Sequence, residues 1–300
     1  MTSQIVRFIN NGEIFVGVNQ SGTSSASKLA VASLAELLTL PLDEIRNLVA
    51  QASQKSELFS HDRLLPPVDG LTEIWASGVT YNRSRSAREE ESDHADVYSR
   101  VYKAERPELF FKSVAWRVTG DGEPIGVRSD SKINAPEPEL ALVCNAKGEI
   151  VGLTICNDVS SRSIEGENPL YLGQAKIYSG SCALGPAIIP IWEISDIYSL
   201  EVSVSVVRKG EVVWSGKTST SEMHRRFEEL VEYLFRQMSF PSGVFLSTGT
   251  GIVPNIDFNL SVGDSVEVSI SDIGKLVNQV ISADHEFFDW LTPDPKRSAF

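Results

Sequence analysis

The most constraining feature of this sequence is a series of short apolar runs that begins near Ala141 and continues towards the C-terminus. Residues that favour turns, namely Gly, Pro, Asn and Asp, separate the runs, and this alternation is typical of β-strands joined by short loops. One stretch differs, because between Ser221 and Met238 the apolar residues recur at helical spacing. The pattern therefore predicts an α+β fold that is rich in strands. The predicted strands lie at 140–144, 149–156, 187–191, 201–207, 211–214, 243–246 and 265–270.

A separate pattern of elements occupies the first part of the chain. The consecutive residues Pro66 and Pro67 can continue neither a helix nor a central strand, and they follow this pattern directly. We therefore predict a small N-terminal α/β domain over residues 1–66 and a larger domain over residues 67–300. The elements predicted for the small domain are strands at 5–8 and 14–18 and helices at 28–40 and 42–52.

The larger domain begins with a predicted strand at 74–79 and then changes character. Residues 81–93 are mostly charged or small, and this segment carries almost no apolar side chain. Such a composition is compatible with an exposed helix that contributes little to the core. We expect the segment to be a mobile lid.

The charge and the cysteine content narrow the classes of function. The chain has 27 Lys and Arg residues against 40 Asp and Glu residues, a formal net charge of −13, which disfavours a protein that tracks nucleic-acid phosphates. Cys144, Cys156 and Cys182 form no CxxC pair, and an odd number of cysteines favours a reducing compartment. The N-terminus has no apolar signal segment, and no stretch is long and apolar enough to span a membrane. We expect a soluble, cytoplasmic protein without nucleic-acid or membrane partners.

Glu137 and Glu139 are the first candidate metal ligands. They are two positions apart in an extended segment, so both carboxylates project from one face while Pro138 points the other way. Counting by twos along the next predicted strand, from Ile150, places Asp158 at its end. Three carboxylate ligands favour Mg²⁺, with Mn²⁺ or Ca²⁺ as alternatives, over zinc or copper. By itself an E-x-E pair is more often a solvated strand face, so the prediction depends on the motifs around it.

Six ordered motifs carry a resemblance to a known family. They are P-E-P-E-L-A-L-V at 136–143, N-D-V-S-S-R at 157–162, Q-A-K at 174–176, L-G-P at 184–186, S-T-G-T at 247–250 and G-D-S-V-E-V at 263–268. Together they resemble the fumarylacetoacetate hydrolase superfamily. Three further stretches are similar to the 2-keto-3-deoxy-D-arabinonate dehydratases within that superfamily, and these lie at 106–112, 128–131 and 167–172.

The resemblance implies a rolled, mixed β-sheet domain whose open end holds Mg²⁺. On this sequence the implied metal ligands are Glu137, Glu139 and Asp158. The active-site lysine of the family falls on Lys176, and the threonine that holds the substrate carboxylate falls on Thr250. Members of the family are usually dimers or tetramers, so the resemblance also implies a homodimer or a homotetramer that acts on a small 2-keto acid.

The residues can be assigned roles in the dehydration of a 2-keto-3-deoxy sugar acid. A Mg²⁺ that binds the keto acid stabilises the enolate that forms when a C3 proton leaves, and Lys176 is the candidate base for that proton. Glu108 or Glu165 is the candidate acid for the departing C4 hydroxyl, while Arg85 and Lys112 are candidates to hold distal hydroxyls or the carboxylate. The predicted enzyme is a hydro-lyase that converts a 2-keto-3-deoxy-pentonate into 2,5-dioxopentanoate.

Hydrolysis of a carbon–carbon bond in a diketo acid, as by an acylpyruvase or fumarylacetoacetase, is the main alternative, with decarboxylation of an oxo acid beside it. Hydrolytic members typically place a His three residues after the tyrosine of the lid and a Glu directly after that His. The lid tyrosine here is Tyr81, and the two corresponding residues are Ser84 and Arg85. His94 lies ten residues after Ser84, and it could replace the missing His only if the lid folds back over the site. The missing pair favours dehydration. A second departure from the family pattern is Ser163, where many members carry Asp. A further alternative is a non-catalytic member of the family that keeps the fold for assembly.

Overall fold

Strands outnumber helices in the part of the chain that the computed structural model describes, which is residues 2–61, 63–91 and 95–291. The strand-rich, mixed architecture confirms the predicted α+β fold. In chain order the elements are β1 (Ser3–Asn10), β2 (Glu13–Gln20), β3 (Ser25–Lys28), α1 (Leu34–Leu37), α2 (Leu42–Ser53), β4 (Phe59–Ser60), β5 (Arg63–Leu65), β6 (Glu73–Gly78), α3 (Asn82–Glu91), α4 (Ala95–Lys103), β7 (Glu108–Val114), β8 (Ile125–Val127), β9 (Asn134–Ala135), β10 (Pro138–Cys144), β11 (Ile150–Asp158), β12 (Ser160–Ser161), α5 (Arg162–Glu167), α6 (Leu172–Lys176), β13 (Cys182–Pro190), β14 (Glu201–Arg208), β15 (Glu211–Ser219), α7 (Phe227–Phe235), β16 (Val244–Ser247), β17 (Ser265–Ile270) and β18 (Gly274–Ser282).

The N-terminal unit starts with β1 and β2, which confirm the two predicted strands and pair as a hairpin. Asn11 and Gly12 connect the strands with φ of 51° and 81°, which is the left-handed conformation that a tight hairpin turn requires. α2 confirms the second predicted helix. The first predicted helix is wrong in extent, because β3 pairs with β2 as far as Lys28 and only Leu34–Leu37 are helical in α1.

The large sheet joins the N-terminal strands to the rest of the chain. Within the described residues it has eleven strands, in the order β4-β3-β2-β1-β13-β11-β10-β16-β6-β7, with β5 paired to β1. The sheet is mixed, since β16 runs parallel to β6 whereas β10 runs antiparallel to both of its neighbours. Ile5 of β1 lies opposite Ile188 of β13, so the junction between the two parts is a strand pair. The domain boundary at residue 66 stays a prediction.

A second sheet packs against one face of the large sheet, in the order β15-β14-β17-β18-β8. Leu140 and Leu142 of β10 belong to the apolar cluster between the two sheets, which also contains the buried valines of β14 and β17. Ala141 and Val143 belong to a cluster on the other face, together with residues of α1 and α2 such as Ile45. β10 is therefore buried on both faces, which explains its continuous apolar run.

α7 packs on the cluster between the sheets and is shorter than the sequence predicts. Helical spacing predicts a helix from Ser221 to Met238, but α7 covers only Phe227–Phe235. Met223 is extended and forms a β-bridge with Tyr81, so the helix cannot include it. The predicted length is wrong at both ends. Among the described residues, no helix is both long and apolar enough to cross a membrane.

Candidate active site

Glu137, Glu139 and Asp158 converge where β10 and β11 lie side by side. The two strands are antiparallel, with Glu139 opposite Cys156, and the Asp158 N–H donates to the Glu137 carbonyl over 2.9 Å. Opposite residues in an antiparallel pair project from the same face of the sheet, so the three carboxylates share one face. Each residue is at most 3% exposed, and one oxygen from each lies within 4.8 Å of the others. The carboxylates therefore meet, as their spacing predicts.

Glu139 is a strongly perturbed member of this group. Its Oε2 accepts hydrogen bonds from Ser247 Oγ over 2.5 Å and from the Gly249 N–H over 2.7 Å. Burial raises the pKa of Glu139 well above its ordinary value, and the negative charge of Asp158 raises it further. A cation between the carboxylates would relieve both effects, because it would supply the counter-charge that the buried site needs.

Lys176 lies beside the carboxylates at the end of α6. Its Nζ is 2.7 Å from Glu137 Oε2, 3.1 Å from Asp158 Oδ2 and 2.6 Å from Ser160 Oγ. The side chain is only 3% exposed, so these contacts are shielded from water. Lys176 is therefore within hydrogen-bond reach of any small group that binds at the carboxylates.

Lys112 is buried behind the carboxylates, with a side chain that is 0% exposed. Its ammonium forms a short ion pair with Asp158 Oδ1. It also donates to the carbonyl oxygens of Val159 and Lys176, over 3.2 Å and 2.6 Å. The sequence predicts that Lys112 contacts substrate, whereas these contacts direct its ammonium at the protein itself.

A small cavity opens beside the carboxylates. Glu108, Glu165 and Thr250 line it, together with the three carboxylates and Lys176. Gly78 makes room for one of these side chains, because a Cβ at that position would collide with the Glu108 carboxylate. The cavity has a volume of about 20 Å³, which is the space of about one water molecule. The structure thus brings the predicted catalytic side chains together in an arrangement too tight for a sugar acid.

The helix pair α3–α4 carries the predicted lid. Arg85 on α3 points towards Glu89 at 3.6 Å and lies 5.0 Å from the centre of the Tyr102 ring on α4. Ser84 lines the cavity, and its hydroxyl donates to the Tyr81 carbonyl over 2.8 Å. The structure therefore brings Ser84, but not the Arg85 guanidinium, to the cavity wall.

Two hydroxyl contacts of the site do not follow from the spacing of the sequence. Ser160 lies against Lys176 and Ser247 against Glu139, and both serines are 0% exposed. Both serines lie in motifs of the family resemblance, at 157–162 and 247–250. The motifs mark these positions as part of the site, but they do not show which side chain each hydroxyl contacts. His94, considered above as a replacement for the missing lid histidine, lies outside the described residues.

The donor set fits a hard divalent cation. Oxygens that bind one Mg²⁺ or Ca²⁺ at about 2.0 to 2.6 Å lie at most about 5 Å apart, and the three carboxylate oxygens lie within 4.8 Å of one another. Carboxylates are the ligands that Mg²⁺, Mn²⁺ and Ca²⁺ prefer. The site therefore has the ligand type, the spacing and the electrostatic need for such an ion.

Known proteins resemble the chain in both sequence and fold. The family profile described as "Fumarylacetoacetate (FAA) hydrolase C-terminal" matches residues 73–281. A probable 2-keto-3-deoxyxylonate dehydratase of Haloferax volcanii is 45% identical over 251 aligned residues, which cover 82% of this chain and 86% of that protein. A 2-dehydro-3-deoxy-D-arabinonate dehydratase of Saccharolobus solfataricus is 44% identical over 242 residues, covering 79% and 81%.

One solved structure extends the likeness to nearly the whole chain. It is a 2-keto-3-deoxy-D-arabinonate dehydratase complexed with magnesium and 2,5-dioxopentanoate, and it is 36% identical to this chain. The superposition has a TM-score of 0.78 and covers 93% of this chain and 99% of that one. The shared fold therefore extends beyond residues 73–281, which the family profile matches.

Proposed function

The chain belongs to the fumarylacetoacetate hydrolase family, and on that premise we propose that it is a Mg²⁺-dependent hydro-lyase acting on a 2-keto-3-deoxy sugar acid. The proposed reaction converts a 2-keto-3-deoxy-pentonate into 2,5-dioxopentanoate and water. Relatives that are 44% and 45% identical are named dehydratases of such acids. The observation that carries the proposal is the buried carboxylate triad with Lys176 in direct contact.

Glu137, Glu139 and Asp158 are the residues that would hold the metal. A bound Mg²⁺ would polarise the keto group and stabilise the enolate that forms when the C3 proton leaves. The burial of the three carboxylates supports this role, because it keeps water away from charge that develops during the reaction. Thr250, which lines the same cavity, is proposed to hold the substrate carboxylate.

Lys176 is the proposed base for the C3 proton. A general base has to lie within about 3 Å of the proton that it takes, and Lys176 Nζ already contacts Glu137 and Asp158 at 2.7 Å and 3.1 Å. We propose that a keto acid seated at the carboxylates presents C3 to this nitrogen. The proton that Lys176 accepts leaves an electron pair on C3, which forms a C3–C4 double bond as the C4–O bond breaks. A proton then shifts from C5 to C3, and the resulting enol transfers its O–H proton to C4, which gives the C5 aldehyde of 2,5-dioxopentanoate.

Glu108 and Glu165 are the proposed candidates for the acid that protonates the departing hydroxyl. Both line the same cavity as the three buried carboxylates. The acid has to deliver its proton to the C4 oxygen as the bond from that oxygen to carbon breaks. The ion pair of Lys112 with Asp158 supports a role in which Lys112 orients that carboxylate and does not contact the substrate. Arg85 would reach a substrate only after leaving Tyr102 and Glu89.

Substrate entry requires a wider cavity than the present one. Pockets for ligands of drug size measure about 300 Å³ or more, whereas this cavity has a volume of about 20 Å³. Ser84 of α3 forms part of the wall, so the α3–α4 pair is the element that we propose to move. This movement is the lid function predicted from the sequence.

The decisive experiment compares two substrates. Purified protein with Mg²⁺ is given 2-keto-3-deoxypentonate and, separately, an acylpyruvate, and the products are identified by mass. We expect the sugar acid to lose one water and the acylpyruvate to stay intact. Cleavage of the acylpyruvate without dehydration of the sugar acid would contradict the proposal and favour hydrolysis of a carbon–carbon bond.

Glu139→Gln tests the metal site in the same assay. We expect it to abolish turnover and the Mg²⁺-dependent rise in melting temperature together, because it removes one of the charged ligands. Glu211→Gln, at an exposed position on β15, is the matched control. If Glu139→Gln keeps both properties, the triad does not hold the metal.

Location and assembly are proposed from the sequence and the family. We infer a cytoplasmic protein, since its three buried cysteines are free thiols. We also infer a homodimer or homotetramer. Light scattering of the purified protein measures the mass, and a monomeric mass at working concentration would contradict the inferred assembly.

A further inference from the structure

We propose that Ser160 is a positioning residue for Lys176, setting the direction of the Lys176 Nζ through the 2.6 Å contact between Ser160 Oγ and that nitrogen. The inference deepens the proposed function and rests on it. Ser160 would act through Lys176 and would not itself touch the substrate.

The local backbone explains why this hydroxyl faces the site. β12 consists of Ser160 and Ser161 alone, and it pairs with Ala135 and Asn134 of β9. Successive residues of a strand point to opposite sides, so the two serines, each 0% exposed, have different neighbours. Ser161 Oγ donates to Ser131 Oγ over 2.7 Å, while Ser160 Oγ faces Lys176.

The hydrogen bonds of the Ser160 hydroxyl show that it acts as an acceptor towards Lys176 Nζ. The Ser160 hydroxyl donates to the Asp158 carbonyl over 2.9 Å, so its proton is occupied and its lone pairs are left to accept from Lys176. Nζ also contacts Glu137 and Asp158, which are proposed metal ligands. Ser160 is therefore a neutral hydrogen-bond partner of Lys176 outside the proposed ligand set.

Holding one N–H of Lys176 fixes the rotation of its nitrogen. Without a partner, the three positions on Nζ rotate freely about the bond from Cε to Nζ. With one N–H held by Ser160, the remaining positions on Nζ face the carboxylates that line the cavity. The position on Nζ that takes up the C3 proton is thereby directed at the cavity where substrate is proposed to bind.

Ser160→Ala, Ser160→Thr and Ser161→Ala test the proposal with the full-length protein. We expect Ser160→Ala to lower kcat on the order of 10²-fold, since misdirection of a catalytic group has effects of that size, while KM and the Mg²⁺ dissociation constant stay unchanged. Ser160→Thr keeps the hydroxyl and should recover most of the turnover. Ser161→Ala, the matched control in the same strand, should keep wild-type turnover.

A second measurement isolates the proton-transfer step. A 2-keto acid without a C4 hydroxyl, such as 2-oxobutanoate, exchanges its C3 protons with D₂O if the base works, and NMR follows that exchange. We expect Ser160→Ala to slow the exchange by the same factor as dehydration. In the exchange, the C3 proton passes to Lys176 Nζ and then to solvent, and a deuteron returns by the same path.

The outcomes separate this inference from the proposed function. Wild-type protein that neither dehydrates the sugar acid nor exchanges the C3 proton contradicts the proposed function. Wild-type turnover combined with equal kcat values for Ser160→Ala and Ser161→Ala overturns the inference alone. If Ser160→Ala does not fold, Ser160→Cys replaces it, because it is nearly isosteric but a weak acceptor, and normal turnover of that variant overturns the inference.

Discussion

At the scale of single residues, the site consists of buried charges that compensate one another. Asp158 has a buried lysine on each side, Lys112 at Oδ1 and Lys176 at Oδ2. A complete buried ion pair adds little net stability, but removal of one partner is costly because it leaves the other charge buried and unpaired. Loss of Lys112 alone would therefore destabilise the fold, and we infer that the ion pair fixes the orientation of Asp158, a proposed metal ligand.

Replacement of Lys112 by Met is predicted to affect stability and metal binding together. We expect the free energy of unfolding to fall by about 3 kcal/mol, because the buried Asp158 carboxylate loses one of its two lysine partners. The affinity for Mg²⁺ should fall by about 10- to 100-fold, the usual effect of removing a residue that orients a ligand. Urea unfolding and calorimetric titration with Mg²⁺ measure the two quantities.

The matched control for this prediction is Lys147→Met, since Lys147 is exposed in the turn between β10 and β11. It should behave as wild type in both measurements. If the Mg²⁺ affinity of Lys112→Met is unchanged, Lys112 does not orient Asp158 for metal binding.

At the scale of elements, α2 depends on a residue far from it in sequence. The helix begins after Pro41, which provides no side-chain cap. Glu149, in the turn between β10 and β11, accepts a hydrogen bond from the Leu42 N–H over 3.0 Å and another from Asn145 Nδ2 over 2.6 Å. These two bonds, from Asn145 and then from Leu42, lower the pKa of Glu149 below its ordinary value of 4.5. A carboxylate of the large sheet thus caps a helix of the N-terminal unit.

Glu149→Gln is predicted to weaken this attachment in a pH-dependent way. Because the folded-state pKa is lowered, the carboxylate stabilises the fold fully above its ordinary pKa, and the stabilisation is lost as the pH falls through the folded-state value. At about pH 7 we expect wild type to exceed the variant by about 0.5 to 1 kcal/mol in free energy of unfolding. At about pH 3 the difference should be much smaller.

Urea unfolding at the two pH values measures this difference, with Glu13→Gln as control. Glu13 is exposed at the start of β2, so its replacement should leave the pH dependence unchanged. An equal difference between Glu149→Gln and wild type at both pH values would contradict the role of the charge.

At the scale of the whole molecule, the N-terminal unit and the large sheet share one apolar cluster. Ile5 and Ile45 of the N-terminal unit belong to the same cluster as Val143, Val151 and Phe245 of the large sheet. Burial of such side chains contributes about 1.5 to 3 kcal/mol each. Separation of the two parts would expose this surface to water, which opposes independent folding.

We predict that the whole chain unfolds in one transition. Thermal unfolding followed by far-UV circular dichroism and by tryptophan fluorescence should have coincident midpoints. A chain that starts at residue 67 should aggregate or remain unfolded, because it exposes the face that α1 and α2 cover. Two resolved transitions, or a folded truncated chain, would instead support the independent N-terminal domain predicted from the sequence.

Local signals account for the parts of the fold that the sequence predicted. β10, β11, β14 and β17 are continuous or alternating apolar runs, and such runs depend only on neighbours in sequence. β7 is not among the predicted strands, and its Lys112 is buried beside Asp158, a partner that is distant in sequence. The predicted helix at 221–238 was too long, because the bridge between Met223 and Tyr81 overrides helical spacing.

The sequence by itself determined the strand-rich class, the shared face of Glu137 and Glu139 and, through its motifs, the family. Tertiary structure alone decided that Lys112 meets Asp158, 46 residues away in sequence, and that Ser160 and not Ser161 faces Lys176. The physical reason is that strand periodicity specifies which side chains share a face, whereas the sheet register and the packing of distant segments specify what they meet. A buried ammonium is stable only beside such distant partners, so its role becomes visible only when the chain has folded.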